Sequence, residues 1–155
     1  MFDKNTTLAF SGHRTYSDTT GNQEALRSAV ERFYRLGYRT FLCGMADGFD
    51  LCAAETVAEL KGRHPEVMLV GVVPFDRHRS AIKNVGRYDS VTASTDVIIT
   101  LSRRYYCGCY YRRDDYLVRH ASALICYCDG SGSGTRYTVR KARLGGLAIE
   151  NLYRG

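Results

Sequence analysis

The sequence contains no apolar run near the roughly 20 residues that a membrane-spanning helix requires. Its first residues, MFDKNTTLAF, have neither the charged start nor the small-residue cleavage site of a signal peptide. We therefore expect a cytoplasmic protein without a membrane partner. With 45% hydrophobic and 25% charged residues among 155, the composition predicts one globular domain over residues 1–155.

The six cysteines lack the spacing of a metal site. Cys107 and Cys109, like Cys126 and Cys128, are separated by one residue, whereas structural zinc sites usually have C-x₂₋₄-C spacing. A reducing cytosol also disfavours disulfides. Cys126 and Cys128 face one side of a predicted strand, as small core residues do. We therefore predict no metal site.

Segments typical of strands and helices alternate along the chain. The predicted strands cover residues 7–10, 40–43, 67–73, 96–101, 124–128 and 147–152. Helices are predicted over 23–36, after Asp50, over 77–93 with an interruption near Gly86, and over 110–121 and 135–144. This alternation predicts a single Rossmann-like α/β domain, with a parallel sheet of about five to six strands and helices on both faces.

The segment from Asp129 to Thr135, DGSGSGT, follows a buried-type strand and opens a helix. Glycines let several backbone N–H groups approach one anion, and the start of a helix favours negative charge. We predict a phosphate-binding loop, with a flexible Gly/Ser turn as the alternative. The segment matches neither G-x-G-x-x-G nor G-x-x-x-x-G-K-[ST], so it supports neither an NAD site nor a Walker-type ATPase.

Two further glycine-containing loops follow predicted strands. In Gly44 to Asp50, GMADGFD, we predict that Asp50 caps the next helix. Asp47 either accepts hydrogen bonds from a ribose or base, or is a turn residue. In Ser11-Gly12-His13-Arg14, Arg14 suits a forked contact with phosphate, while His13 is either an acid or base or a solvated side chain.

The segment from Arg103 to His120 contains five tyrosines and five arginines. Arginine interleaved with aromatic residues suits base stacking and phosphate contacts, and the same residues are enriched in protein–protein interfaces. The net charge of +6 favours anionic partners. We predict a nucleotide-pocket wall and a homodimer surface in preference to a dedicated nucleic-acid groove.

Four motifs occur in order: SGHR at 11–14, GMADGFDLCAAE at 44–55, GCYYRRDDYLVRHASALICY at 108–127 and DGSGSGTRYTVRKA at 129–142. Over nearly the whole chain they resemble the YpsA-like family of the SLOG superfamily, a Rossmann-like group that includes DprA/Smf and LOG proteins. The resemblance implies a nucleotide or nucleotide derivative bound at the carboxyl edge of the sheet. Together with the loops above, it gives a candidate ligand-binding set of Ser11, Gly12, His13, Arg14, Gly44, Met45, Ala46, Asp47, Gly48, Arg113, Asp114, Asp129, Gly130, Ser131, Gly132, Ser133, Gly134 and Thr135.

Two positions depart from the pattern of the similar proteins. They commonly have Arg-Asn where this chain has Arg113-Asp114, and an ionised Asp accepts but cannot donate hydrogen bonds. LOG-type phosphoribohydrolases have a glutamate three residues after the Thr of their glycine-rich loop, where this chain has Thr138. The missing carboxylate weakens the hydrolase interpretation.

We therefore expect binding or sensing of a nucleotide or ADP-ribose-type molecule. One alternative is a nucleotide N-glycosidase, in which Asp47, Asp114 or Glu55 supplies the carboxylate. The other is a single-stranded nucleic-acid-binding protein of the DprA/Smf type.

Overall fold

A computed structural model describes residues 2–155, in which six strands form one parallel sheet in the order β4-β3-β2-β1-β5-β6. In chain order the elements are β1 (Thr7–Gly12), α1 (Thr20–Arg35), β2 (Thr40–Cys43), α2 (Phe49–Arg63), β3 (Met68–Val73), α3 (Val85–Ala93), β4 (Val97–Thr100), α4 (Cys109–Arg119), β5 (Ala123–Tyr127), α5 (Gly134–Leu144) and β6 (Ala148–Asn151). The predicted Rossmann-like α/β class is confirmed.

Both faces of the sheet are covered by helices. Leu8 and Phe10 of β1 pack with the buried residues of α1 and α2, whereas the intervening Ala9 packs with those of α4 and α5. Because side chains alternate along a strand, a strand covered on both faces is apolar throughout. This explains the unbroken apolar runs in the sequence.

The connection between β3 and α3 differs from the prediction. A 3₁₀ turn covers His78–Ala81, and the interruption falls at residues 82–84 instead of near Gly86, which lies inside α3. Asn84 caps α3, since its Oδ1 accepts the N–H of Arg87 at 3.3 Å. The N-cap of that helix therefore determines where the interruption falls.

The predicted N-cap role of Asp50 is wrong. Helix α2 begins at Phe49 with Gly48 as its N-cap, and no side chain bonds to its first N–H groups. Gly48 adopts a φ of 79°, so the chain turns before Asp50 is reached. The Asp50 side chain is buried and instead accepts the N–H of Ala46 at 3.2 Å.

The strand order reverses at β1, which lies between β2 and β5. Crossover connections therefore leave β1 and β5 in opposite directions, and a crevice forms beyond the carboxyl ends of these two strands. The loops after β1 and β5 border this crevice. No helix among residues 2–155 combines the length and apolar character that crossing a membrane requires.

Candidate functional site

A cavity of about 520 Å³ lies beyond the carboxyl ends of β1 and β5, between the loops that follow them and helix α4. We call it the inner cavity. Its volume is within the range of small-molecule sites. Of the predicted ligand-binding residues, those that line it are Ser11, Gly12, His13, Arg14, Ala46, Arg113, Asp114, Ser131, Gly132, Ser133, Gly134 and Thr135.

The start of α5 forms one side of the inner cavity. Its N-cap, Ser133, makes no side-chain hydrogen bond to the helix, and the first turn carries no acidic residue. The preceding Gly132 has a φ of 71°, a conformation that glycine adopts without strain. The first N–H groups of the helix are thus left without a side-chain partner, which is the arrangement that binds anions.

Arg14 lies at the rim of the same cavity. Its guanidinium stands over the Tyr110 ring, with Cζ 5.1 Å from the ring centroid. Among the described residues 2–155 it takes part in no ion pair. The cation is therefore available for a negatively charged group that enters next to α5.

The floor of the inner cavity contains three buried charged residues, Asp50, Arg113 and Asp114, which are 5%, 6% and 6% exposed. Arg113 Nε donates to Asp114 Oδ1 at 2.7 Å, and its Nη1 donates to the Gly44 carbonyl at 2.6 Å. Asp50 Oδ2 accepts the Ala46 N–H, whereas Asp50 Oδ1 has no hydrogen-bond partner among the described residues. Two carboxylates thus share one buried cation.

Burial raises the pKa of Asp50 to about 6, although the positive charge of Arg113 acts in the opposite direction. Burial also raises the pKa of Asp114, again against the effect of Arg113. Removing a carboxylate from water disfavours its charged form unless cations or donors compensate. The floor is therefore short of one positive charge or hydrogen-bond donor.

His13 and Asp129 connect the two loops that border the crevice. His13 Nε2 lies 2.8 Å from Asp129 Oδ1, and the His13 side chain is largely buried. Asp129 Oδ1 also accepts the N–H of Ser131 at 2.8 Å. His13 thus helps to hold the loop after β5 in place, and it is not a solvated side chain.

The residues from Gly44 to Gly48, apart from Ala46, lie outside the inner cavity. Met45 is fully buried, and its carbonyl oxygen is 3.0 Å from Nε2 of His78. Burial lowers the pKa of His78 to about 4, so the imidazole is neutral at pH 7. A side chain at Gly48 would place its Cβ 2.4 Å from the Arg14 carbonyl oxygen.

Asp47 and Glu55, two of the carboxylates considered for catalysis, also lie elsewhere. Asp47 accepts the N–H groups of Lys83 at 2.8 Å and Asn84 at 3.1 Å. Glu55 accepts a hydrogen bond from Arg87 Nε at 2.7 Å. Of the sequence-predicted carboxylates, only Asp114 lines the inner cavity.

Sequence reasoning missed Asp50 as a residue of the cavity. Asp is a common N-cap, and its position at the start of a helix led to that assignment. One signal was present: Gly48 is also an accepted N-cap, which would leave the Asp50 carboxylate free for another role. The other lining residues outside the predicted set are Phe10, Thr15, Tyr110, Tyr111 and Leu117.

A second cavity, of about 930 Å³, lies on the other side of the loop after β5 and shares only Tyr111 and Ser133 with the first. We call it the outer cavity. Three arginines of α5 line it, Arg136, Arg140 and Arg143, and all three are exposed. The predicted site residues Asp129 and Gly130 line this cavity instead of the inner one.

The prediction that Cys126 and Cys128 are core residues is confirmed in part. Cys126 is fully buried in the core beneath α4 and α5, and Cys128 is partly buried at the edge of that core. Within residues 2–155, no group of three or more His, Cys, Asp or Glu side chains is arranged to hold a metal ion. The groups that line the inner cavity are backbone N–H groups, arginines, hydroxyls and buried carboxylates.

Comparison with curated proteins finds a relative of similar sequence. The UPF0398 protein BH1768 of Halalkalibacterium halodurans is 29% identical over 117 residues, which are 73% of this chain and 62% of that protein. The chain thus spans less than two thirds of the length of this curated relative.

Three solved structures share the fold. DprA from Streptococcus pneumoniae has a TM-score of 0.65 at 13% identity and matches 94% of this chain and 50% of its own. DprA from Helicobacter pylori has a TM-score of 0.66 at 14% identity and matches 94% of this chain and 64% of its own. TM1055 has a TM-score of 0.60 at 16% identity and matches 92% of this chain and 71% of its own.

The YpsA family model, which is described as the YspA SLOG family, matches residues 14–144. This range begins at Arg14 and ends at Leu144, the last residue of α5. It therefore includes the floor of the inner cavity and the glycine-rich loop after β5. The chain belongs to the YspA SLOG family.

Proposed function

We propose that the protein binds or senses a nucleotide or a nucleotide-derived molecule of the ADP-ribose type in the inner cavity. The observation that carries the proposal is the convergence of three features on one cavity of about 520 Å³. These are the uncapped start of α5, the hydroxyls of Ser133 and Thr135, and the guanidinium of Arg14, which has no ion pair among residues 2–155. All three favour a phosphate group.

The charge distribution gives the ligand an orientation. The floor has two acids and one base, so a phosphate there would meet excess negative charge. At the start of α5, the phosphate meets helix N–H groups and Arg14. The phosphate thus lies toward α5, and the uncharged part of the ligand extends to the floor and to Tyr110.

The test is binding of AMP and ADP-ribose to the purified protein by calorimetry, with Arg14→Ala compared to Arg140→Ala. Both changes remove one exposed arginine without an ion pair, but Arg140 lines the outer cavity. Loss of a charge-assisted contact predicts at least about tenfold weaker binding for Arg14→Ala. Equal affinities of the two variants for both ligands would contradict the proposed site.

A nucleotide N-glycosidase is a second candidate, favoured by the two buried carboxylates at the floor. A carboxyl group with a raised pKa is suited to protonate a leaving group, and an ionised one can stabilise positive charge on ribose. Thr138, at the position of the LOG glutamate, cannot do this; its hydroxyl donates to the Gly134 carbonyl at 3.1 Å. Release of free base from AMP or NAD, lost in Asp114→Asn, would establish the activity. Intact substrates after long incubation would exclude it for these two compounds.

Single-stranded nucleic acid is a third candidate ligand, favoured by the exposed arginines of the outer cavity. DprA from Helicobacter pylori, which shares the fold, has a single-stranded DNA binding mode. A nucleic-acid partner of this chain would release counterions, so binding should weaken steeply with salt. A flat salt response of oligonucleotide binding would argue against it.

A further inference from the structure

The floor of the inner cavity contains an unsatisfied acceptor. Asp50 is 5% exposed and lines the cavity, and its Oδ1 is buried without a hydrogen-bond partner among residues 2–155. A buried carboxylate oxygen without a donor is costly. Arg113 is bonded elsewhere, through Nε to Asp114 and through Nη1 to the Gly44 carbonyl, and it makes no hydrogen bond to Asp50 Oδ1.

The second floor carboxylate, Asp114, lies close to the proposed phosphate position. Its carboxylate interacts with the Thr138 hydroxyl, which also lies within hydrogen-bond distance of the Gly134 carbonyl at 3.1 Å. Thr138 is four residues beyond the first residue of α5, which is a separation of about one helical turn, or about 5.4 Å. A phosphate at the start of α5 therefore lies about one sugar ring away from Asp114.

We infer that Asp50, together with Asp114, binds the hydroxyl groups of a ribose, so that the cavity selects ribonucleotides over 2′-deoxyribonucleotides. This inference rests on the proposed function and names the part of the ligand that reaches the floor. Vicinal ribose hydroxyls present two donors on one face, which suits two neighbouring acceptors. A 2′-deoxyribose lacks one of them and leaves a buried acceptor unpaired.

Other ligand groups fit the floor less well. A phosphate oxygen has no proton to donate when fully ionised, and it would add charge to an already negative cluster. An aromatic base is better accommodated at the rim, beside the aromatic residues Tyr110 and Tyr111. Sugar hydroxyls are neutral donors, and they are attached next to the phosphate.

The experiment compares AMP with 2′-deoxy-AMP by titration calorimetry on the unaltered protein, on Asp50→Asn and on Asp89→Asn. Asp89 is an exposed acid paired with Arg79 and does not line the cavity, so it controls for the loss of one negative charge. The unaltered protein and Asp89→Asn should bind AMP at least about tenfold more tightly than 2′-deoxy-AMP, because a site that bonds a hydroxyl rejects the analogue without it. In Asp50→Asn this ratio should fall toward one.

The outcomes separate this inference from the proposed function. If Arg14→Ala weakens AMP binding but AMP and 2′-deoxy-AMP bind equally to the unaltered protein, the phosphate site stands and the ribose inference is wrong. The same conclusion follows if Asp50→Asn folds, as judged by its melting transition, and keeps the full preference for AMP. If neither AMP nor ADP-ribose binds the unaltered protein at millimolar concentration, the proposed function is overturned and this inference with it.

Discussion

Two glycine-rich loops leave the same edge of the sheet, and each leads from a buried strand into a helix. The loop from Gly44 to Asp50 uses its polar groups within the protein: the Gly44 carbonyl accepts from Arg113, and Asp47 accepts two backbone N–H groups. In the loop from Asp129 to Thr135, Asp129 is bonded to His13 and Ser131. Neither α2 nor α5 has a side-chain cap, but the first N–H of α2 is bonded to the His13 carbonyl at 3.2 Å, and of the two helices only α2 has an acidic residue in its first turn. We therefore describe the first loop as a scaffold and propose the second as the loop that presents donors to a ligand.

The difference arises from what packs on each loop. A side chain at Gly48 would meet the backbone of Arg14, whereas a side chain at Gly132 would have no atom within 4 Å. Glycine thus permits close packing in one loop and backbone orientation in the other. The predictions below test this division, from the largest expected effect to the smallest.

Gly48→Ala should strongly destabilise the fold. The new Cβ would lie 2.4 Å from the Arg14 carbonyl oxygen, in a residue with a φ of 79°. We expect a loss of about 3 kcal/mol or more in the free energy of unfolding, measured by urea denaturation. Gly132→Ala should cost about 1 kcal/mol, because only its φ is unfavourable. Equal losses in the two variants would contradict the division between scaffold and binding loop.

Asp50→Asn should stabilise the protein at neutral pH and, according to our inference, should lower the preference for ribose. The pKa of Asp50 is raised to about 6 in the fold, chiefly by burial, with Arg113, Arg14 and Asp114 as its charged neighbours. Because the pKa is higher in the folded state, the ionised carboxylate lowers the free energy of unfolding. The full cost applies above pH 6, and it decreases as the pH falls from 6 toward 3.8. We expect a gain of about 1–3 kcal/mol at pH 8 and about half of it at pH 5, from urea denaturation. A loss of stability at pH 8 would show that the charge is compensated.

Asp47→Ala should lower stability without affecting ligand binding. Its carboxylate accepts the N–H groups of Lys83 and Asn84, both on the outside of the protein, where water can replace it in part. We expect a cost of about 0.5–1.5 kcal/mol in urea denaturation and an unchanged affinity for AMP. Weaker AMP binding at unchanged stability would instead show that Asp47 contributes to ligand binding.

The expected homodimer concerns a third region, the Tyr-rich segment before and within α4. Tyr105, Tyr106 and Tyr111 are 63%, 40% and 41% exposed, and Tyr111 lines both cavities. A partner chain that covered Tyr111 would also narrow the inner cavity. Light scattering should give the dimer mass at tens of micromolar and a shift toward monomer in Tyr106→Ser. A monomer mass for the unaltered protein would contradict the prediction.

Much of the fold could be predicted from the sequence, because apolar runs and helix-ending glycines are local signals. The strand at Thr40–Cys43 has its predicted bounds, and α5 begins one residue before its predicted start. The break before α3 was misplaced although its N-cap, Asn84, is a local signal. The contact that Asp47 makes with the backbone of this break could not be predicted, since Asp47 is more than thirty residues away in sequence.

The site was predictable as a set of loops but not as a set of side chains. The glycines and serines after β5 and Arg14 after β1 were predicted from their positions, and residues 131–134 and Arg14 line the inner cavity. The role of Asp50 depends on burial beneath Arg113, a residue from another part of the chain, and no local pattern distinguishes it from a cap. The separate positions of Asp47 and Asp114 likewise follow from tertiary packing.

The central claim is that the loop after β5, and not the loop after β2, receives the ligand's phosphate. The most direct measurement is a set of ¹H–¹⁵N NMR spectra recorded during titration with ADP-ribose, with AMP as a second ligand. The account predicts the largest amide shifts at residues 132–136 and small shifts at Asp47 and Gly48. Largest shifts at 44–48, with residues 132–136 unchanged at saturation, would contradict it.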